Sequence, residues 1–252
     1  MKKALIVGGS SGIGLSMVTL LAGRDTVDIV YVVDKAPFPG QYITEKVEYY
    51  QFDLTSEDYS FFDRFSDIDT LIITAGFGRL ALFRDIDEHL ISSYFAVNTI
   101  PVLRIIKRFY NKLAGEKDFY CGVMVSISGF MSSPFFSVYG ATKAALKIFI
   151  ESVNVELEKA GSYNRILNVS PGSIKGTNFN NGGTDLAQLQ TLGQTILSEI
   201  EKKNDLFIPQ YDQIFKEVLQ RYHDDFRAEG RHSYDYKLKS GRIKTTSKSG
   251  LV

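Results

Sequence analysis

The chain has 252 residues, of which 44% are hydrophobic, and its 29 basic and 29 acidic side chains leave no formal net charge at pH 7. A balanced charge argues against a general nucleic-acid or anionic-membrane binder, because those proteins need an excess of positive charge. The single cysteine, Cys121, excludes an intramolecular disulfide and a zinc site built from several cysteines. No stretch approaches 18 consecutive apolar residues, so we expect a cytoplasmic protein that does not span a membrane.

Short runs rich in valine and isoleucine alternate with segments long enough to form helices. The runs are residues 4–7, 29–33, 47–52, 70–74, 123–127 and 166–169, and the predicted helices are 12–24, 57–66, 86–113 and 138–160. Several runs are apolar on both faces, which is typical of parallel strands covered by helices on both sides. The sequence therefore predicts an α/β fold with a doubly wound, mostly parallel sheet, in a single domain spanning 1–252.

A glycine-rich turn joins the first predicted strand to the first predicted helix. Its candidate binding residues are Gly8, Ser10, Ser11, Gly12, Ile13 and Gly14. Glycines let the backbone approach a phosphate closely, and the unpaired N–H groups at a helix N-terminus bind anions. A turn of this kind between a strand and a helix predicts a dinucleotide-binding site.

Two acidic residues follow the second and third predicted strands. Asp34 can accept hydrogen bonds from both hydroxyl groups of an adenosine ribose and would repel a 2′-phosphate. We therefore predict NAD as the cofactor, with NADP not excluded because the basic Lys35 follows at once. Asp53 is a candidate partner for the adenine amino group or, alternatively, a turn residue ahead of Thr55.

A tyrosine and a lysine share one face of the predicted helix 138–160. Tyr139 and Lys143 are four residues apart, which is the spacing of neighbours on a helix surface. An ammonium group beside a phenol lowers the pKa of the phenol and makes it a proton donor and acceptor near neutral pH. The pair is therefore a candidate catalytic centre.

An asparagine precedes a proline in the predicted helix 86–113. Pro101 has no N–H group to donate to the carbonyl of Val97, so we expect the helix to bend there and to leave an acceptor free. Asn98, at the bend, is a candidate residue for holding a bound water.

These motifs, in this order, resemble the short-chain dehydrogenase/reductase family in its classical subgroup, over about residues 1–180. The resemblance rests on the glycine turn together with Asp53-Leu54, Thr74-Ala75-Gly76, Asn98, Tyr139-x-x-x-Lys143 and Pro171-Gly172. It implies a Rossmann-like fold and an NAD(P)-dependent oxidoreductase that interconverts a carbonyl and an alcohol, as a homodimer or homotetramer. Val7 and Thr74 stand where the family often has a threonine and an asparagine, so we expect looser hydrogen bonding near the turn.

The resemblance also implies roles for the matching residues. Tyr139 would exchange a proton with the substrate oxygen, and Lys143 would hold the nicotinamide ribose and lower the pKa of Tyr139. Asn98 would hold a water that links Lys143 to solvent, Gly76 would lie near the cofactor, and Ile174 would contact the nicotinamide amide. The full set of predicted cofactor contacts is Gly8, Ser10, Ser11, Gly12, Ile13, Gly14, Asp34, Asp53, Leu54, Ala75, Gly76, Tyr139, Lys143, Pro171, Gly172 and Ile174.

The serine that would hydrogen-bond the substrate carbonyl has two candidates. The family's usual spacing from the tyrosine places it at Ser126. The alternation of apolar residues over 123–127 instead puts Ser126 inside a strand, whereas ligands of a doubly wound sheet bind beyond the carboxyl ends of its strands. We therefore predict Ser128 as the catalytic serine and keep Ser126 as the alternative.

The C-terminal third departs from the family pattern. Residues 190–203 and 210–223 are predicted amphipathic helices, and the polar, basic residues 231–252 are predicted to be a solvated, partly mobile tail. No last strand of the usual kind is recognisable, so the segment 206–252 is atypical. The glycine- and amide-rich loop 176–195 is a predicted substrate lid, which favours a small polar substrate.

A second hypothesis is a dinucleotide-binding regulatory protein without turnover. Such a protein would keep the glycine turn but would have no need of Asn98, Tyr139 and Lys143 together, so the enzyme is the leading hypothesis. The histidines have no metal-ligand spacing, and we predict no metal site.

Overall fold

The computed structural model describes residues 1–177, 179, 183–240 and 243. One 7-stranded sheet runs through it in the order β3-β2-β1-β4-β5-β6-β7, and every strand pair is parallel. The strands are β1 Lys3–Val7, β2 Ile29–Asp34, β3 Val47–Gln51, β4 Thr70–Ile73, β5 Tyr120–Met124, β6 Ile166–Val169 and β7 Leu206–Phe207. The strand order reverses between β1 and β4, where sheets of this type bind ligands. The predicted doubly wound α/β fold is confirmed.

The helices cover both faces of the sheet. They are α1 Gly12–Ala22, α2 Glu88–Asn98, α3 Ile100–Leu113, α4 Ser137–Lys159, α5 Leu186–Glu201, α6 Lys216–Asp224 and α7 Phe226–Lys239. The predicted helix 57–66 is only a 3-10 helix, Ser60–Phe65. Its neighbour Tyr59 and its own Phe62 and Phe65 are buried, so packing of large aromatic rings rather than helical periodicity governs this segment.

Two hydrophobic cores explain why the strands are apolar on both faces. Leu5 and Val7 of β1 pack in the core that α3 and α4 cover, whereas Ala4 and Ile6 pack in the core that α1 and α5 cover. Successive side chains of a strand point to opposite faces, so a strand buried on both sides has no polar positions left.

The predicted helix 86–113 is divided, as expected from Pro101. Helix α2 ends at Asn98, and α3 begins at Ile100 with the proline in its first turn. The combined segment Glu88–Leu113 is long and apolar enough, by length and composition alone, to cross a membrane. In the fold it is a core element, since the apolar side of α3 is buried against the sheet.

The C-terminal segment is more ordered than the sequence suggests. Strand β7 adds a parallel edge strand to β6, and α7 occupies most of the described part of the predicted tail 231–252. Most side chains of residues 231–240 are exposed, as predicted for a solvated tail, but the segment is helical up to Lys239 and Lys237 is buried against a distant loop. Residues 241, 242 and 244–252 lie outside the described residues.

The predicted lid 176–195 is helical in its second half. Helix α5 begins at Leu186, where the carboxylate of Asp185 caps it by accepting hydrogen bonds from the N–H groups of Ala187 and Gln188. Asn178 and residues 180–182 lie outside the described residues, so the role of this loop stays a prediction.

Candidate active site

The glycine turn brings α1, β1 and the end of β4 into close contact. Gly8 has a φ of 91°, and a Cβ atom there would lie 2.4 Å from the amide nitrogen of Ala75. A Cβ atom on Gly14 would lie 2.2 Å from the carbonyl oxygen of Gly8. Only glycine fits either position, and α1 therefore starts with its positive end directly at the edge of the sheet.

Thr74 is hydrogen-bonded to the glycine turn. Its hydroxyl group donates to the carbonyl oxygen of Gly8 at 2.9 Å and approaches that of Val7 at 3.3 Å. The expectation that Val7 and Thr74 loosen the hydrogen bonding near the turn stays a prediction.

Asp34 lies at the end of β2, beside the glycine turn. Its carboxylate accepts hydrogen bonds from the N–H groups of Ser10 and Ala36, each at 3.0 Å. The Ser10 hydroxyl donates to the carbonyl oxygen of Ala36 at 3.1 Å. These bonds fix the carboxylate next to the N-terminus of α1, the position that recognition of an adenosine ribose requires.

Asp53 is held by a lysine and by its own turn. Lys35 Nζ lies 2.8 Å from Asp53 Oδ2, and Thr55 donates both its N–H group and its hydroxyl to Asp53 Oδ1. The hydrogen bonds from Lys35 and then from Thr55 lower the pKa of Asp53 to about 2. This is the turn geometry that the sequence left open as the alternative. Next to it, the carbonyl of Leu54 accepts a hydrogen bond from the hydroxyl of the buried Tyr59.

Asn98 ties the chain that follows β4 to helix α2. The side chain is fully buried, and its amide exchanges two hydrogen bonds with the backbone of Phe77, at 2.9 and 2.8 Å. A Cβ atom on Gly76 would lie 3.2 Å from Asn98 Oδ1 and 3.4 Å from Lys143 Nζ. Asn98, Gly76 and Lys143 therefore meet, as the motif order predicts, while the water-holding role of Asn98 stays a prediction.

Of the two candidate serines, Ser126 is the one whose side chain lowers the pKa of Tyr139. The expectation that placed Ser126 inside a strand was wrong, because β5 ends at Met124 and a 3-10 turn, Ile127–Gly129, follows. The backbone N–H of Ser128 donates to Ser126 Oγ at 3.1 Å. Ser128 thus helps to orient the Ser126 side chain, and the choice of Ser128 as the catalytic serine stays a prediction.

Tyr139 and Lys143 are both buried, and burial dominates their titration. Burial raises the pKa of Tyr139 to about 12, although the hydrogen bond from Ser126 acts in the opposite direction. Burial lowers the pKa of Lys143 to about 8. Its ammonium donates to the carbonyl oxygen of Met124 at 2.9 Å and lies 5.8 Å from the centroid of the Tyr139 ring. The expected lowering of the tyrosine pKa by Lys143 is therefore not observed.

Aromatic side chains surround the tyrosine. The members of this aromatic wall, a name we keep below, are Phe77, Tyr94, Phe136 and Phe179. The ring centroid of Tyr139 lies 5.2 Å from that of Phe136 and 5.3 Å from that of Phe179. Phe77 stacks on Tyr94 at 4.6 Å, and both pack in the same cluster as Tyr139. The surface next to the phenol is thus apolar.

The segment after β6 runs along the same edge of the sheet. The Pro171 carbonyl accepts a hydrogen bond from the N–H of Ile127 at 3.0 Å, and half-buried Ile174 accepts one from the Thr177 hydroxyl at 2.9 Å. A Cβ atom on Gly172 would lie 2.6 Å from the ring of Phe215, in a π-helical turn before α6. Of the predicted residues Pro171, Gly172 and Ile174, Pro171 therefore lies beside the serine loop, and the other two follow it along the chain.

Near α1, the Gly12 N–H donates to the Thr184 hydroxyl at 2.8 Å. Ser11 is the N-cap residue of α1, and Ile13 packs in the core that α1 and α5 cover. The segment before α5 therefore reaches the glycine turn. In the described part of the chain, no group of histidine, cysteine and acidic residues is arranged to hold a metal ion.

Sequence reasoning did not single out the aromatic wall or Phe215. One signal was available for part of the wall, because the adjacent Phe135 and Phe136 immediately precede the helix that carries Tyr139. Phe215 leaves no such signal, since it reaches Gly172 from a segment far along the chain.

Comparisons with known proteins agree with this geometry. A family model described as short chain dehydrogenase matches residues 2–185. An uncharacterized oxidoreductase of Saccharomyces cerevisiae is 28% identical over 189 residues, which cover 70% of this chain and 61% of that protein. A dehydrogenase of Cochliobolus heterostrophus is 29% identical over 162 residues, which cover 62% of this chain and 60% of that protein. The chain thus matches about three fifths of the length of these two relatives.

Solved structures share the fold at low sequence identity. A short chain dehydrogenase from Burkholderia cenocepacia in complex with NADP has a TM-score of 0.74 at 20% identity, over 92% of this chain and 99% of that one. A short chain dehydrogenase/reductase from Burkholderia phymatum in complex with NAD has a TM-score of 0.72 at 14% identity, over 98% of both chains.

Proposed function

This chain belongs to the short-chain dehydrogenase family and is an NAD(P)-dependent oxidoreductase that acts on a small molecule, and we propose that it interconverts a carbonyl and an alcohol with Tyr139 transferring the proton. The observation that carries the proposal is the meeting of three buried side chains, Ser126, Tyr139 and Lys143: the Lys143 ammonium donates to the carbonyl oxygen of Met124, two residues before Ser126, and lies 5.8 Å from the centroid of the Tyr139 ring. All three side chains lie at the carboxyl edge of the sheet, where ligands of doubly wound folds bind.

The residues present fit a nicotinamide dinucleotide. A Cβ atom on Gly8 or Gly14 would collide with the protein's own backbone, so these glycines let the turn lie close against the sheet, where α1 directs its positive end toward the turn. Asp34 stands fixed beside this turn, which supports recognition of the adenosine ribose and NAD as the cofactor. Lys35 is paired with Asp53, and this pairing weakens the case for binding a 2′-phosphate.

In this proposal the protein orients the substrate and moves one proton. The dinucleotide, when bound, supplies or accepts the hydride. Ser126 donates a hydrogen bond to the substrate oxygen, and Tyr139 protonates that oxygen in reduction or takes the proton in oxidation. Because burial raises the pKa of Tyr139 to about 12, the phenol keeps its proton at neutral pH and can donate it to the substrate oxygen in reduction.

The aromatic wall supports a proposal about the chemical class of the substrate. We predicted a small polar substrate from the loop 176–195, but Asn178 and residues 180–182 of that loop lie outside the described residues. The rings of Phe136 and Phe179 that contact Tyr139 support a carbonyl compound with an apolar or aromatic substituent.

The exposed side of α3 and α4 supports a homo-oligomer. Ile100, Ile148 and Val155 on these helices are 49%, 59% and 57% exposed. Apolar side chains grouped on one face are typical of subunit interfaces. We therefore keep the proposal of a homodimer or homotetramer, in the cytoplasm.

A substrate screen tests the proposed reaction. The purified chain would be mixed with NADH or NADPH and with acetophenone, cyclohexanone or dihydroxyacetone, and oxidation of the dinucleotide followed by its absorbance. We expect turnover of acetophenone with NADH, and a loss of about a thousandfold or more in the Tyr139→Phe variant without loss of NADH binding.

Two outcomes would count against this reading. Undiminished turnover in Tyr139→Phe would remove Tyr139 from the mechanism. Tight dinucleotide binding with no turnover of any of these three ketones would favour the regulatory protein instead.

A further inference from the structure

The loop that leads into α4 contains a strained residue. Phe135 has a φ of 67°, in the left-handed region that a phenylalanine avoids, and its side chain is buried. Such a conformation costs free energy and persists only where the surroundings hold it. The contacts of this loop therefore show what fixes its shape.

Helix α7 supplies several of the contacts that hold the loop. The ring of Tyr234 lies against that of Phe135, with centroids 4.6 Å apart. Lys237 Nζ donates to the carbonyl oxygen of Pro134 at 2.8 Å and to the hydroxyl of Ser133 at 2.7 Å. From elsewhere in the chain, the N–H of Ala81 donates to the Phe135 carbonyl at 3.0 Å.

Lys237 is an unusual side chain for the surface of a C-terminal helix. It is only 8% exposed, and burying an ammonium group is unfavourable unless hydrogen bonds replace its water. The loop supplies such bonds through Pro134 and Ser133, and the ammonium also lies 5.4 Å from the centroid of the Phe136 ring. The lysine is thus specifically fitted to this loop.

The strained loop controls the start of the catalytic helix. Phe136 follows directly, and its carbonyl accepts the N–H of Gly140 at 2.6 Å, in the first turn of α4. Its ring contacts both Tyr139 and Phe179. The conformation of Phe135 therefore sets the position of one side of the aromatic wall.

Helix α7 is itself anchored. Arg221 of α6 donates to the buried carboxylate of Glu229 in α7 at 2.8 Å. Before α6, the ring of Phe215 packs against Gly172, which follows β6. Helix α7 is therefore joined to α6, and the turn before α6 contacts the segment after β6.

We propose that helix α7 acts as a clasp, by which we mean that it holds residues 133–136 in place beside the substrate pocket. Lys237 and Tyr234 are the positioning residues. By holding this loop they place Phe136 against the substrate. The inference rests on the proposed function. It goes beyond it by assigning substrate selectivity to a helix outside residues 2–185, the part of the chain that matches the family model.

Kinetics of a matched pair of variants test the clasp. Lys237→Met removes the ammonium, and Lys239→Met removes an exposed one from the same helix. With acetophenone and NADH, we expect Lys237→Met to raise the KM for acetophenone about tenfold, with kcat and the KM for NADH within about twofold. Lys239→Met should behave as the unaltered chain.

A double variant tests the route through Phe136. If Lys237 acts by placing this ring, adding Lys237→Met to Phe136→Ala should change the KM for acetophenone by less than about twofold. A further tenfold rise in that variant would overturn the proposal.

Amide hydrogen exchange gives a readout that does not need turnover. We expect faster exchange over residues 130–136 in Lys237→Met, and no change in Lys239→Met. Unchanged exchange in Lys237→Met would overturn the clasp, even in a chain that turns over no ketone. Absence of turnover in the unaltered chain would contradict only the proposed function. If Lys237→Met does not fold, Tyr234→Leu takes its place in both measurements.

Discussion

The backbone N–H of Ser128 donates to Ser126 Oγ at 3.1 Å, so the two nearby serines are linked directly. Ser126, two residues beyond the end of β5, is the one whose side chain lowers the pKa of Tyr139. Under the proposed mechanism, the chemistry at this edge of the sheet depends on the Ser126 hydroxyl group.

The first prediction separates the two serines. Ser126→Ala removes the donor beside the phenol, so kcat for ketone reduction should fall about a hundredfold. Ser128→Ala keeps the backbone N–H that orients Ser126, and kcat should change less than about threefold. Steady-state kinetics of both variants at saturating NADH decide the matter. Equal losses in the two would contradict the assignment of Ser126.

The second prediction concerns pH. Burial lowers the pKa of Lys143 from 10.5 to about 8, so its ammonium is charged below that pH and becomes neutral above it. If the charged form binds the nicotinamide ribose, kcat/KM for NADH should be constant below about pH 8. It should then fall about tenfold per unit of pH at higher values. Tyr139, with a pKa of about 12, stays protonated in this range.

Arginine at the same position provides the control for the pH profile. Lys143→Arg keeps its positive charge at every pH of the assay, so its profile should not fall near pH 8. A profile of the unaltered chain that stays level from pH 7 to well above 8 would contradict the role of Lys143.

The third prediction concerns the choice of dinucleotide. Asp34→Ser removes the carboxylate that is fixed beside the glycine turn. The ratio of the Kd for NADPH to the Kd for NADH should then fall at least about tenfold, because the 2′-phosphate is no longer repelled. Glu45→Gln, which removes an exposed acid elsewhere, should leave the ratio unchanged. Titration calorimetry of the variants measures both constants.

The fourth prediction concerns the glycine turn itself. Gly8→Ala places a Cβ atom 2.4 Å from the amide nitrogen of Ala75 and on a left-handed backbone. It should lower the free energy of unfolding by at least about 2 kcal/mol. Gly40→Ala has open space within 4 Å, and its effect should stay within about 0.5 kcal/mol. Urea unfolding of both variants tests the contrast, and a Gly8→Ala protein as stable as Gly40→Ala would refute the close contact.

The fifth prediction concerns assembly. Ile148→Asp places a charge in the exposed apolar face of α4, so a chain that forms oligomers through this face should become monomeric. Ile43→Asp alters a side chain that is 60% exposed and lies away from α3 and α4, and it should not change the oligomer. Light scattering gives the molar mass in each case. An unchanged mass in Ile148→Asp would rule out this face.

Much of the fold was predictable because burial leaves a direct mark on the sequence. Strand β1 is apolar throughout its inner positions since Leu5 and Val7 enter one core while Ala4 and Ile6 enter the other. The glycine turn could also be recognised from the sequence, because Gly8 and Gly14 occupy positions that no other residue can fill.

The catalytic serine was harder, for a physical reason. Val123, Val125 and Ile127 are all buried, so the alternation of apolar residues continues past the last strand residue, Met124. Periodicity reports which side chains are buried, but it does not report where a strand ends. The family's spacing points to Ser126, and the comparison of Ser126→Ala with Ser128→Ala tests that assignment.

Helix α7 left no periodic signal of its role. Its buried lysine is stabilised by Pro134 and Ser133, more than a hundred residues earlier in the chain. A contact of that kind depends on the completed fold, so a polar composition was the only local information. The same holds for Phe215, whose partner Gly172 belongs to another segment.

The two edges of the sheet also bear on solubility. An exposed strand edge offers unpaired backbone groups to other chains and can seed aggregation. At one end β7 offers only the two residues Leu206–Phe207, too short a template for a stable ladder. At the other end β3 exposes Glu48, and a charge on an edge strand opposes pairing with a second copy. The sheet therefore ends in strands that resist its extension into fibrils.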